Sequence, residues 1–95
     1  MRVIEMYIDL INEELDGAKE YAEKYLEYKT SKPQWARMCS EMASDELKHA
    51  GYIQDIAQQT ADGLSWMPDA TRDKWSHCVS HMGERIALVK MMLSK

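Results

Sequence analysis

The sequence predicts an all-α fold: a long antiparallel helical hairpin followed by a third helix. Three observations carry that prediction. Apolar residues recur at steps of three, four and seven along most of the chain. Four Gly and two Pro are too few for the many turns of an all-β protein. Both prolines fall in short breaks, one around Thr30–Gln34 and one within Thr60–Pro68, which divide the chain into three long periodic segments. At 95 residues these segments belong to one domain at most.

The first helix is expected over about residues 3–29. Tyr7, Ile11, Ala18, Tyr21 and Tyr25 keep helical spacing, and Ile4, Ile8, Leu15, Ala22 and Leu26 widen the stripe. Gly17 weakens this helix by about 1 kcal/mol relative to Ala without ending it. About 27 residues give a rod roughly 40 Å long, a bundle-length element. The break follows at Thr30-Ser31-Lys32-Pro33-Gln34, where Ser31 and Gln34 have the spacing of a capping box and Pro33 suits a first helical turn. A second helix is expected over about 33–59, with Trp35, Met38, Cys39, Met42, Ile53 and Ile56 marking its buried side. So short a connection forces the two helices antiparallel. After the polar loop Thr60-Ala61-Asp62-Gly63 and the stretch Leu64–Pro68, Asp69 is placed to cap a third helix over about 70–93. Its stripe is Trp75, Cys78, Val79, Met82, Ile86, Val89 and Leu93, with Gly83 as a soft spot. No internal repeat, low-complexity tract or linker interrupts the pattern.

Composition narrows the function classes. Hydrophobic residues at 45% and charged residues at 29% are those of an ordinary globular chain rather than a disordered one. A net charge of −4 argues against a general nucleic-acid binder, since phosphate affinity comes from clustered Lys and Arg. No run of 18 apolar residues exists to span a membrane, and the N-terminal acids come too early for a secretory signal. Two cysteines, Cys39 and Cys78, make no disulfide framework. A soluble, cytoplasmic protein in a reducing compartment is expected.

The informative residues are the ionisable ones within the apolar stripes. On the first helix Tyr7, Ile11, Glu14, Ala18 and Tyr21 keep steps of four and three, so Glu14 points with the apolar set. On the second, Met42, Glu46, His49, Ile53 and Ile56 do the same, and Glu46 and His49 are neighbours on one helix face. An unpaired ionised carboxylate taken from water costs several kcal/mol, a large share of a small domain's stability. A bound cation offsets that cost. A carboxylate and an imidazole at i and i+3 can both reach one metal, the recurring element of diiron carboxylate bundles. The Glu-x-x-His spacing alone is a weak signal. Its place on the stripe, with Glu14 on the stripe of the partner helix, strengthens it.

At these residues the chain resembles the ferritin-like superfamily. Glu13-Glu14-Leu15-Asp16 through Tyr21 is similar to a first metal helix, a Glu with an aromatic seven residues on. Asp45-Glu46-Leu47-Lys48-His49-Ala50 is similar to the Glu-x-x-His helix. The nearest pattern is that of encapsulated ferritins, in which one chain carries half of a bundle and two chains pair to complete a diiron ferroxidase site. The resemblance covers roughly residues 10–58. It implies that Glu14, Glu46 and His49 are iron ligands and the catalytic residues, with Glu14 the bridging carboxylate and Tyr21 close by. It implies two iron ions per dimer site. The last residues, Lys90–Lys95, do not resemble the short tail that targets encapsulated ferritins to a protein shell, which leaves a shell partner without support. The third helix lies outside the match.

Ligand counting points the same way. A ferritin-like site takes a Glu from each of two helices and a Glu-x-x-His from each of the other two. This chain has one of each, and the third helix has no second Glu-x-x-His. A two-fold dimer supplies the full set through a self-complementary interface. The expectation is therefore a homodimer or larger ring whose four-helix bundle is completed by dimerisation; the resemblance implies that it is an Fe(II)-oxidising oxidoreductase, with metal affinity falling as pH drops through the histidine range. The alternative is a metal-free helical dimerisation or interaction module, in which Glu14, Glu46 and His49 form a structural polar layer.

Other candidates are weaker. His77, His81 and Glu84 fall at i, i+4 and i+7, a spacing that could bind zinc or a second iron site, although nothing in that helix completes a tetrahedral set. Cys39 and Cys78 read as small buried hydrophobes, and the eight Met and three Trp as packing material, Met38 and Met42 beside Cys39 included. Glu13, Asp16, Glu20, Glu23 and Glu27 form a solvated acidic face that could also draw cations toward Glu14.

Overall fold

The second helix determines how the chain packs, because one of its sides is built from small residues. Ala36, Ala43, Ala50 and Ala57 repeat every seven positions, with Cys39 and Glu46 between them. All four alanines and Cys39 are buried. Small side chains along one seam let two helices approach more closely than leucine would allow. In the computed structural model, which describes residues 1–95, this seam lies against the first helix. The elements are α1 (Arg2–Tyr28), α2 (Pro33–Asp62) and α3 (Asp69–Leu93). The α1–α2 pair is a hairpin, closed by a turn in which the Lys32 N–H donates to the Tyr28 carbonyl at 2.8 Å.

α1 contributes Ile4, Ile11, Leu15, Ala18 and Ala22, all buried, as its periodicity predicts. Ala18 and Ala22 meet Ala43 at one end of the rod, with Val89 and Met92 of α3 closing the cluster. Toward the other end Ile4, Ile11 and Leu15 pack with Ala50, Ala57, Met67, Trp75, Cys78 and Met82. α3 buries Trp75, Cys78, Met82, Val89 and Met92, much as its stripe predicts. It runs parallel to α1 and packs mainly on it, touching α2 much less. Polar ties fix this register. The N-terminal ammonium donates to Thr71 Oγ1, Lys74 Nζ to Glu5 Oε1 at 2.6 Å, Arg85 to Asn12 Oδ1 at 2.8 Å and to Asp16, and Lys29 Nζ to the Lys95 carbonyl at 2.7 Å. One bond crosses from α3 to α2, Trp75 Nε1–H to Gln58 Oε1 at 3.1 Å. The result is a rod of 53 × 17 × 16 Å. No helix is long and apolar enough to cross a membrane.

Several expectations from sequence need correction. Trp35, Met38, Met42 and Ile56 do not form the buried side of α2. They are exposed, while the alanine seam next to them is buried. Of that expected set only Cys39 is fully buried, with Ile53 half-buried. Ser31 does not cap α2: the capping position is Lys32, and no side chain bonds the helix start. α2 also continues through Thr60-Ala61-Asp62 rather than ending near Gln59. Thr60 Oγ1 donates to the Ile56 carbonyl at 2.9 Å, so this residue uses its hydroxyl within the helix instead of starting a loop. Asp69 is the first helical residue of α3 and not its cap, which is Pro68. There it suits the positive helix start and pairs with Arg72 at 3.6 Å.

Gly83 has ordinary helical geometry, and an added Cβ would meet nothing within 4 Å. Gly83→Ala is expected to raise stability by about 0.5–1 kcal/mol, read by thermal unfolding. Ala43→Leu forces three extra carbons into the seam and is expected to cost about 1–3 kcal/mol or more in the same assay.

Candidate metal centre

Antiparallel pairing brings the middle of α1 beside the middle of α2. Glu14 and His49 meet across the hairpin, with His49 Nδ1 3.4 Å from Glu14 Oε2. That distance is at the long end for a hydrogen bond; Glu14 is half-buried at 29%, while His49 is exposed at 54%, on the open side of the hairpin and not on the buried side its stripe predicts. With its proton on Nδ1 facing this carboxylate, the imidazole keeps the lone pair of Nε2 for another partner. No other hydrogen bond of the His49 ring is present.

Glu46 is placed differently. It takes a position in the alanine seam, three residues after Ala43 and four before Ala50. Its carboxylate lies over Gly17 of α1, where a Cβ added to the glycine would sit 2.9 Å from both Cδ and Oε1 and overlap Oε2. Oε2 is the single buried side-chain oxygen or nitrogen in the protein with no hydrogen-bond partner. An acceptor left in this state forfeits its hydration with no return, typically at about 1–3 kcal/mol. Burial pushes the Glu46 carboxyl above its ordinary value of 4.5, the Glu14 charge pushes it further, His49 pulls it down, and Glu20 adds a smaller upward push.

The three residues singled out by sequence are thus neighbours on one stretch of the hairpin. Within one chain they do not close a site: no group of three or more His, Cys, Asp or Glu side chains is arranged to hold a metal ion. What one chain offers is a Glu–His pair open to one side and a carboxylate with an uncompensated oxygen. These donors suit a cation, because an acceptor without a donor and two anionic groups in proximity both gain from positive charge. Tyr21, two turns along α1 from Glu14, is half-buried, with Lys24 Nζ 5.5 Å above its ring.

The surroundings of this polar layer are apolar and uncovered. Leu10, one turn before Glu14, and Met6 one turn earlier are exposed on α1. Trp35, Met38, Met42, Tyr52 and Ile56 are exposed on α2, the first three before the layer and the last two after it. Along this part of α1 the polar contacts to α3 come from Glu5, Asn12 and Asp16, about half a turn around the helix from Glu14, so α3 lies on the side away from it. Sequence reasoning missed this face as a face. It also missed Gly17, which it read only as a weak spot in a helix; the steps of three and four that link Gly17 to Glu14 and Tyr21 are the signal that could have found it.

The remaining candidates do not build a second site. His77 and His81 stack, with ring centroids 4.0 Å apart, and His81 Nδ1 bonds the His77 carbonyl at 2.8 Å, so both imidazoles are engaged within their own helix. Glu84 is exposed nearby and completes no cluster. Cys39 and Cys78 are free and buried, and burial pushes the Cys78 thiol up against a weaker downward pull from Arg85. That favours an unreactive thiol. Comparison with protein-family models, with curated proteins and with solved structures finds no match.

The Glu46 carboxyl holds its proton more tightly in the folded chain than in the unfolded one. Its contribution therefore favours folding below the ordinary carboxyl range and is lost as pH rises through the raised value. Metal-free Glu46→Gln protein is expected to melt a few degrees above the parent chain at neutral pH. The gap should close below pH 4.5, the ordinary value of this group, in a series of thermal melts across pH.

Proposed function

We propose that this chain is half of a ferritin-like diiron protein, which oxidises Fe(II) with oxygen or peroxide at a site shared between two subunits. The single observation that carries the reading is Glu46 Oε2, a buried acceptor with no donor, beside the Glu14–His49 pair. Glu14, Glu46 and His49 from each of two copies would hold the metal, a set of four Glu and two His. Bound iron would supply the electron-transfer chemistry toward the oxidant. The residues of the chain do the rest. Glu14 and Glu46 supply negative charge against the cations, and His49 supplies a neutral donor. The apolar residues on either side of the layer would exclude water once covered, which strengthens every electrostatic interaction within it.

The uncovered face supports pairing of two copies. Only 17 of 95 residues are buried in the single chain, a small core for so many large apolar side chains. The largest exposed residues of α1 and α2 flank the polar layer along the rod, and an isologous dimer buries one such face against its own copy. α3 leaves this face free.

One observation favours a second reading, a metal-free dimerisation module: Glu14 and His49 already partner each other, as members of a structural polar layer would. Metal analysis separates the two. Anaerobic Fe(II) titration with concurrent mass measurement is expected to show two iron ions per dimer. Stoichiometric absence of metal after anaerobic reconstitution supports the module instead. Glu46→Ala and His49→Ala are each expected to abolish Fe(II) oxidation, followed by absorbance, and substantial retained activity contradicts the ligand assignment. Ile56→Glu sets a charge on the apolar face and is expected to yield monomer by light scattering with helix content unchanged; an intact dimer places the interface elsewhere.

A further inference from the structure

The seat of Glu46 exists because residue 17 has no side chain. Glycine in the interior of a 27-residue helix is unfavourable, and nothing in the backbone of α1 asks for it: no residue of the chain has positive φ. Gly51 and Gly83 also lie inside helices, yet a Cβ at either would enter open space. Of these three helical glycines only Gly17 has the space occupied, and the nearest atoms there are those of the Glu46 carboxylate group, its Cδ and both oxygens. The three heavy atoms nearest to an added Cβ at 17 thus all belong to one functional group. The obstructing atoms are the far end of a flexible side chain, so the conflict is relieved by the carboxylate moving away, with no backbone shift.

We infer that Gly17 is a positioning residue: by lacking a Cβ it lets α1 approach the Glu46 carboxylate closely and holds that group within the layer formed with Glu14 and His49. This rests on the metal reading above and adds to it a residue that touches no metal. Any larger residue at 17 expels the carboxylate from the seam toward solvent, where it regains hydration and ceases to be aligned with its neighbours. Two consequences diverge. In the metal-free chain the change replaces glycine by a better helix former and rehydrates a stranded oxygen, so stability holds or rises. Metal affinity falls, because the carboxylate must be brought back against a methyl group.

The test uses the full chain with Co(II) as a probe of the same donors, titrated anaerobically and followed by its visible absorption, beside thermal melts of the metal-free protein. Gly17→Ala is expected to melt at or above the parent temperature, to bind Co(II) at least tenfold more weakly, and to shift the absorption bands of whatever complex forms. Gly83→Ala, also a helical glycine replacement, is expected to bind Co(II) like the parent chain. Parent-like Co(II) affinity and bands in Gly17→Ala overturn the positioning role while leaving the metal reading intact. A lowered melting temperature in Gly17→Ala also overturns it, since the seam rather than the carboxylate would then be what gives way. Failure of the parent chain itself to bind Co(II) or Fe(II) overturns the metal reading, and the positioning role falls with it.

Discussion

The alanine seam of α2 is the constraint on which the other features depend. Four alanines at heptad spacing, all buried, spend the inward side of α2 on close approach to α1 rather than on large apolar area. Burying an alanine removes little surface from water, so the α1–α2 pair draws less hydrophobic stabilisation per residue than a leucine seam would. The large side chains of α2 are displaced one step around the helix, to Trp35, Met38, Met42, Tyr52 and Ile56, where the single chain leaves them exposed. Large exposed apolar residues along one side of a rod are the kind of surface that the pairing proposed above would cover. The same close approach brings α1 near enough for a carboxylate at the seam position to lie against helix backbone at Gly17.

That placement puts two energetic costs at one point. Propensity at a helical glycine is worth about 1 kcal/mol, and a buried acceptor without a partner costs about 1–3 kcal/mol. Both run against the stability of the isolated chain, and both occur at the same point of contact, Gly17 against Glu46. Glu14 adds like charge to the same layer, while His49 offsets part of it. Local conflicts of this sort, set within helices otherwise consistent with their fold, are expected where function and stability compete.

The three helices were legible in the sequence because period and punctuation agree over long spans, and each predicted boundary lies within about three residues of the observed one. The face of α2 was not. Large apolar residues outweigh alanine in any reading of periodicity, so Trp35, Met38, Met42 and Ile56 were expected inside, although small size is what qualifies Ala36, Ala43, Ala50 and Ala57 for a close seam. The caps failed for a related reason. Ser31 and Asp69 have the right chemistry, but both helices start with backbone bonds alone, from Ala36 N–H to the Lys32 carbonyl and from Arg72 N–H to the Pro68 carbonyl. The docking of α3 on α1 was out of reach, since Lys74, Arg85 and Lys29 reach Glu5, Asn12, Asp16 and the chain end across long sequence separations that no local pattern encodes. Glu14, Glu46 and His49 were legible as neighbours because antiparallel pairing about a short turn fixes which residues lie opposite one another, and Glu14 does meet His49. The orphaned oxygen of Glu46 depends on an atomic fit to Gly17, which spacing alone does not convey.

On the proposed reading, pairing and metal binding are one equilibrium. A two-fold axis through the apolar face brings a second layer of Glu14, Glu46 and His49 against the first, so the hydrophobic residues that favour association also concentrate four carboxylates away from water. Without a cation, two such layers brought together would repel each other in charge. A ligand that binds only the paired state stabilises it by mass action, and by linkage the paired state binds that ligand more tightly. α3 makes this coupling one-sided. By covering the far side of α1 and holding it with ion pairs at Glu5 and Asp16, it leaves a single apolar face to the hairpin. On that reading, two copies would associate through the side of the hairpin that α3 leaves open.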